Sequence, residues 1–312
     1  GVSRLNYPLI DGVVNGCPSV LLEPTRSNLI PYSEDISNWE QDGATTLDNN
    51  IISPDGTLNA SKITFNSGNE RVYTFANTTN GSFSAYFKGV QGKKVKLRDN
   101  SGTYRTEITL TENWVRHYLY KETANTNIQI QNVDANEVYV WGAQVEEGSY
   151  ATSYIPNYGT SAGVTRSAET ANGAGNASTF NDSEGVLMLE ISALANDGTN
   201  RRITIDDGTG NNRIILGYYS ASNSLLIDVA SQGTGAYTKV AYVPYVDNFN
   251  KIALKYKEND FALWINGLEI DVDVSGITPI NLNNLKFDGG SGAVPFYGNT
   301  KQIQYFDSAL ND

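Results

Sequence analysis

A single cysteine rules out an internal disulfide framework, so this chain of 312 residues must be held together by packing or by association. That cysteine, Cys17, precedes Pro18 and reads as a small buried residue rather than a nucleophile. One histidine is equally restrictive: His117 alone permits no multi-histidine metal centre, and any Ser-His-Asp or Cys-His arrangement would have to use it. No apolar run reaches the 18 or so residues of a membrane-spanning helix, and the first residues lack the charged-then-apolar order of a secretory signal, so no membrane insertion is expected. Cations are scarce, with 22 Lys and Arg against 34 Asp and Glu and a net charge of −12. Nucleic acid and anionic membrane are therefore poor partners, because both need clustered Lys and Arg to displace counterions.

What is present favours strands. The 19 tyrosines and 29 glycines, with abundant Thr and Asn and little of the Ala-Leu-Glu-Lys mix of helices, predict an all-β protein. Between Asn28 and Tyr158 short strand-like runs recur about every 10 residues, as in a sandwich: "ASKITF", "RVYTF", "GSFSAYFKG", "KKVKLRD", "YRTEITL", "NWVRHYLY", "TNIQIQN" and "EVYVWGAQVE". Alternation puts Phe83, Ala85 and Phe87 on one face of "GSFSAYFKG" and Ser84 and Tyr86 on the other. The composition then turns to small and polar residues, which read as a linker over 158–178, and strands resume to the end. The predicted order is an extended N-terminal arm over 1–27, one β-sandwich over 28–157, the linker, and a second β-sandwich over 179–312.

Asn266-Gly267 is a strong hairpin signal, because a type I′ turn needs positive φ at both central residues. A two-residue loop sets Ile265 opposite Leu268, which predicts Phe261, Leu263, Ile265, Leu268, Ile270 and Val272 on the core face. Trp264 then points outward beside Glu269, with Asp271 and Asp273 on its side.

Several stretches carry resemblances. "FALWINGLEIDV" with "KQIQYFDSAL" resembles the concanavalin A-like or laminin-G-like jelly roll, and "GSFSAYFKG", "TENWVRHYLY" and "VYVWGAQVEEGSYATSYIP" resemble the galactose-binding-type jelly roll of carbohydrate-binding modules. In this order, and with "CPSVLLEPTRSNLIPYSEDISNW" ahead of them, they resemble virion structural proteins of tailed bacteriophages, of the fibre or decoration kind. The resemblance implies two tandem jelly rolls, a place on the virion surface, other capsid or tail subunits as partners, and a homotrimer. It also implies that "LLEPTRSNLI" is an extended lead-in laid along the first sandwich, with Pro18, Pro24 and Pro31 holding the backbone extended. The chain starts at "GVSRLNYP", like the middle of such a lead-in, and ends at "SALND", where such proteins run on, so it is expected to be a piece of a longer protein.

The chemistry is less pointed. His117 falls on the face of Val115 and Leu119 and reads as structural. Glycoside cleavage needs two carboxylates across one bond, and Asp206, Asp207, Glu146, Glu147, Asp271 and Asp273 all have turn or surface explanations, so no enzyme is expected. The loops "DDGTGNN", with Asp206 and Asp207, and "DGGSG", with Asp288, offer oxygen ligands for a structural calcium ion, plain turn chemistry being the alternative. Sugar binding would rest on aromatic faces, for which the candidates are Trp39, Tyr73, Trp114, Tyr118 and Trp264, with Glu269 beside the last; core packing is the competing explanation for each. The sequence thus suggests weak, multivalent attachment to bacterial surface polysaccharide, against two rivals: a decoration protein without a ligand, and a polysaccharide depolymerase component.

Overall fold

A computed structural model describes residues 4–7, 9–10, 13–14, 16–121 and 125–310. Its regular structure is antiparallel strand, with one 3₁₀ turn at Ile36–Asn38 among the described residues. Two compact units divide the chain.

The first unit spans Thr25–Ser167 and is a sandwich of two five-stranded sheets. One sheet runs in the order Val115–Lys121, Gly81–Lys88, Glu137–Glu147, Ala60–Thr64, Thr45–Ile51. The other runs Arg105–Thr109, Lys94–Asp99, Asn125–Asn132, Arg71–Thr78, Glu40–Asp42. Alternating residues from both sheets meet in a core that includes Val72, Phe83, Ala85, Phe87, Val95, Leu97, Ile108, Ile128, Ile130 and Val140. The faces expected for Phe83, Ala85 and Phe87 are those observed.

The second unit is also a sandwich. Its larger sheet has seven strands, in the order Arg4–Asn6, Ser19–Leu22, Gly298–Phe306, Glu184–Ala193, Asn250–Lys257, Phe261–Ile265, Leu268–Asp273. Facing it are six: Asn172–Ala174, Asn284–Lys286, Arg201–Asp206, Arg213–Tyr218, Ser224–Ser231, Thr234–Tyr242. Leu187, Leu189, Ile203, Ile205, Leu216, Ile227, Leu254, Phe261 and Leu263 fill the space between them. Both units are β-sandwiches of the jelly-roll kind.

Four expectations change. The lead-in is not laid along the first sandwich throughout: Ser19–Leu22 pairs with Gly298–Phe306 as a true strand of the second, while Arg26–Asn28 pairs with Val164–Arg166. Arg4 fixes the leading strands by bonding Glu23 and, at 2.5 Å, Glu169, two carboxylates that are almost fully buried. The stretch read as a linker also supplies strands at Val164–Arg166 and Asn172–Ala174, because paired backbone can be satisfied without large side chains. Cys17 is exposed rather than buried.

The fourth change concerns the hairpin. Asn266 and Gly267 have φ of 52° and 84°, Ile265 pairs with Leu268 and Trp264 with Glu269, as the turn requires. Beyond them a bulge shifts the register, so Leu263 faces Asp271 and Ala262 faces Val272. A one-residue slip moves every later side chain of the strand to the other side of the sheet. Asp271 therefore reaches the facing sheet and accepts hydrogen bonds from Tyr237 Oη (3.0 Å) and Lys239 Nζ (2.6 Å). Leu268, Ile270 and Val272, expected in the core, are exposed on an edge strand instead.

Candidate functional site

The strand Asn125–Asn132 supplies an unusual surface. Ile128 and Ile130 point into the core, so Asn127, Gln129 and Gln131 lie on the outer face of their sheet, yet they are only 9%, 4% and 6% exposed. Register explains what covers them. One cross-strand row runs Arg105, Arg98, Gln129, Tyr73, Glu40 over all five strands. The next runs Glu107, Lys96, Gln131, Arg71, Asp42. Long side chains on both flanks thus wall a floor of amides.

Local bonds hold this face in place. Arg98 donates from Nε to the Asp99 carbonyl (3.0 Å) and from Nη1 to Gln131 Oε1 (3.0 Å), and Gln131 Nε2 donates to the Asn69 carbonyl (3.2 Å). Asp99 shapes the adjacent turn by accepting from Ser101 Oγ and the Gly102 amide. Gly102 is needed there: its φ is +71°, and a Cβ would stand 2.7 Å from Arg98 Nη2. Gln129 donates to Asn127 Oδ1 (2.9 Å), whereas no donor among the described residues reaches its own Oε1. A buried carbonyl left without a donor costs about 1–3 kcal/mol, which makes it a signal of a missing partner. Beside this floor Asn69, Lys96, Arg98, Ser101, Gly102, Arg105, Glu107 and Gln131 line a groove of about 680 Å³. Such a volume suits a small ligand.

Of the aromatic candidates, Tyr73 belongs to this face, where Phe75 meets it edge-on at 6.0 Å. Phe75, 56% exposed, is an aromatic that strand alternation alone does not single out. The others lie elsewhere. Trp39 is a core residue, 4% exposed, packed near Phe83 and bonded through Nε1 to the Tyr32 carbonyl, so neither ring face is free for a sugar. Trp114 donates to the Ile52 carbonyl, and Tyr118 is exposed on the opposite sheet, paired with Ser84. Trp264 is half-buried in the second sandwich, with Lys255 Nζ 5.9 Å from its ring centre and Glu269 exposed beside it. Within the first sandwich, Trp39, Trp114 and Tyr118 do not join Tyr73 on this face.

The acidic candidates are engaged by neighbours. Both oxygens of buried Asp206 accept from Lys286 Nζ at 3.0 Å, so a lysine ammonium stands where a calcium ion would be needed for charge. Asp207 accepts from the Thr209 and Gly210 amides and Asn212 Nδ2, which hold its carboxyl below the usual range against the opposing effect of burial. Asp288 accepts from the Gly290 amide and Asn172 Nδ2. Turn chemistry accounts for these contacts, and no group of three or more His, Cys, Asp or Glu among the described residues is placed to hold a metal ion. Glu146 is fully buried and bonded to Thr152. His117 is half-buried, with Phe87 edge-on at 6.0 Å, and burial lowers its pKa.

No family model matches the sequence, and no curated protein matches it. Among solved structures it is similar to the CBM40 of the Ruminococcus gnavus IT-sialidase bound to α2,3 sialyllactose, at 17% identity over 46% of this chain and 92% of that one, with a TM-score of 0.36. It is similar to the Caenorhabditis elegans galectin LEC-6 at 10% identity, over 44% and 89% of the two chains, TM-score 0.32. Domains LG4-5 of the mouse laminin α1 chain align over 96% of both chains at 9% identity, TM-score 0.31.

Proposed function

We propose that this chain is a non-enzymatic structural protein of a tailed-bacteriophage virion, displayed on the particle surface, whose sandwiches give weak, multivalent attachment to bacterial surface polysaccharide. The glycan part is carried by one observation: a groove-lined sheet face whose amide floor holds, among the described residues, an unpartnered carbonyl at Gln129 next to the Tyr73–Phe75 pair. Sugars need this mixture, an aromatic flank for C–H faces and fixed amides for hydroxyls. The virion part, the capsid or tail subunits as partners and the homotrimer rest on the sequence resemblance. Engagement of Asp206, Asp271 and Glu146 by neighbouring groups favours binding over hydrolysis.

Decoration without a ligand is the second reading. It is favoured by the apolar edge of the second sandwich, where Leu268, Val272 and Val274 are 68%, 57% and 81% exposed. The test is binding of the chain, arrayed multivalently on beads, to whole bacterial cells, with and without calcium. Attachment that falls at least tenfold in Tyr73→Ala, and not in Trp264→Ala, supports the first reading. Absence of attachment to every cell surface tried supports the second, and loss on calcium removal would restore a structural ion to the loops at Asp207 and Asp288.

A further inference from the structure

The cations of the groove outnumber its acids. Lys96, Arg98 and Arg105 line it against one carboxylate, Glu107, and that carboxylate is bonded at 2.7 Å to Lys94 outside the lining. Arg98 and Arg105 are moreover directly opposite on neighbouring strands, where like charges repel. The bonds that hold them go to neutral oxygens: Arg98 to the Asp99 carbonyl and Gln131, Arg105 to the Gly102 carbonyl at 3.0 Å. In a chain of net charge −12 the nearest relief for such a pair would be an acidic side chain, and the groove lining offers only the Glu107 that Lys94 already engages.

We infer, resting on the glycan reading above, that the groove selects an anionic saccharide whose sugar carboxylate sits between Arg98 and Arg105. Guanidinium groups take a carboxylate through paired N–H donors, and two facing arginines held at fixed angles supply a site with no acid of their own to displace. Lys96 adds a point charge on the neighbouring row. Gln131 lines the site, and on the cross-strand row beyond Arg98 come Gln129 and then Tyr73, which with Phe75 beside it flanks the next ring. The volume of about 680 Å³ fits one or two sugar units rather than a long polyanion, which the overall negative charge repels.

Titration calorimetry of the full chain with trigalacturonate, and with the same trimer after carboxyl reduction, tests the inference, the contact residues being read from amide shifts. The acid form is expected to bind at least tenfold more tightly, weakening as salt is raised, with shifts at Gln129 and Gln131. Arg105→Gln and Lys96→Met, both surface changes checked by thermal melting, should remove that preference, bringing the acid form down to the affinity of the reduced trimer. Equal binding of both trimers at the groove would overturn the anionic assignment and leave the glycan reading standing. Shifts at the groove from neither trimer would overturn both. Tighter binding of a glycerol phosphate oligomer or of oligo-dT would replace the sugar carboxylate by a phosphodiester and overturn it as well, as would acid binding insensitive to the two variants.

Discussion

On the strand Asn125–Asn132 the residues that leave the core are amides, Asn127, Gln129 and Gln131, and they are nevertheless buried; on the edge strand Leu268–Asp273 they are Leu268, Ile270 and Val272, and they are exposed. Each is the reverse of what burial alone would select, since amides cost free energy out of water and aliphatic carbons gain it. A central strand can bury amides where flanking long side chains, here Arg98 and Tyr73, cover them. An edge strand has a neighbour on one side only, so its apolar side chains stay in water unless another surface covers them. The first arrangement suits a small polar ligand and the second a protein surface, although both are built on the same fold.

Two adjacent residues give the largest contrast. Ile130→Ala should cost about 3 kcal/mol, because Ile130 is fully buried and leaves a cavity. Gln129→Leu should cost less than about 1 kcal/mol, since it removes the donor to Asn127 together with a carbonyl that has no partner. Denaturant unfolding of both variants checks the pair. Equal losses would mean that Gln129 is structural and the face has no vacancy to fill.

The sequence carries the fold further than the site. Alternation in "GSFSAYFKG" assigns its core face correctly, and Asn266-Gly267 places the hairpin and its first two pairs. The far half of the return strand is illegible, because a bulge inside "LEIDVD" has no side-chain signature and reverses the faces of Asp271 and Val272. Trp39 is left open between sugar platform and core because the segment before a first strand gives no period to follow; its burial depends on contacts far along the chain. The groove needs register. "KVKLRD", "YRTEIT" and "NIQIQN" each show polar residues on alternate positions, but which arginine faces which glutamine is set by pairing between strands. A run of Gln alternating with Ile is the one available hint, since outer faces of strands more often carry Thr, Lys or Glu.

The edge gives a smaller effect on stability and a clear one on association. Val272→Lys with Val274→Asp should change unfolding free energy by less than about 0.5 kcal/mol, both residues being exposed. If the apolar strip is a contact between copies, sedimentation should show the native chain as an oligomer and the double variant as a monomer. A native chain already monomeric at high concentration would leave the strip for a different protein and remove the proposed homotrimer.

The smallest effect is electrostatic and belongs to the sandwich that carries the groove. Burial lowers the pKa of His117 below its ordinary value near 6.5, so the unfolded chain takes up a proton at a pH where the folded chain does not. More protons bound by the unfolded state make stability rise with pH, so the contribution of His117 is fully present above about 6.5 and is lost as the pH falls. Glu34 acts in the opposite sense, because burial raises its pKa above 4.5 and stability then declines as the pH rises past that point. The sum of the two is ambiguous in the wild type, whereas a difference is not. His117 is the one histidine of the chain, so subtracting the melting profile of His117→Gln from that of the native protein between about pH 5 and 7 isolates its term. The difference should favour the native chain increasingly toward pH 7; a flat difference would place His117 in water, and an inverted one would require an acidic partner beside it that the Phe87 contact does not provide.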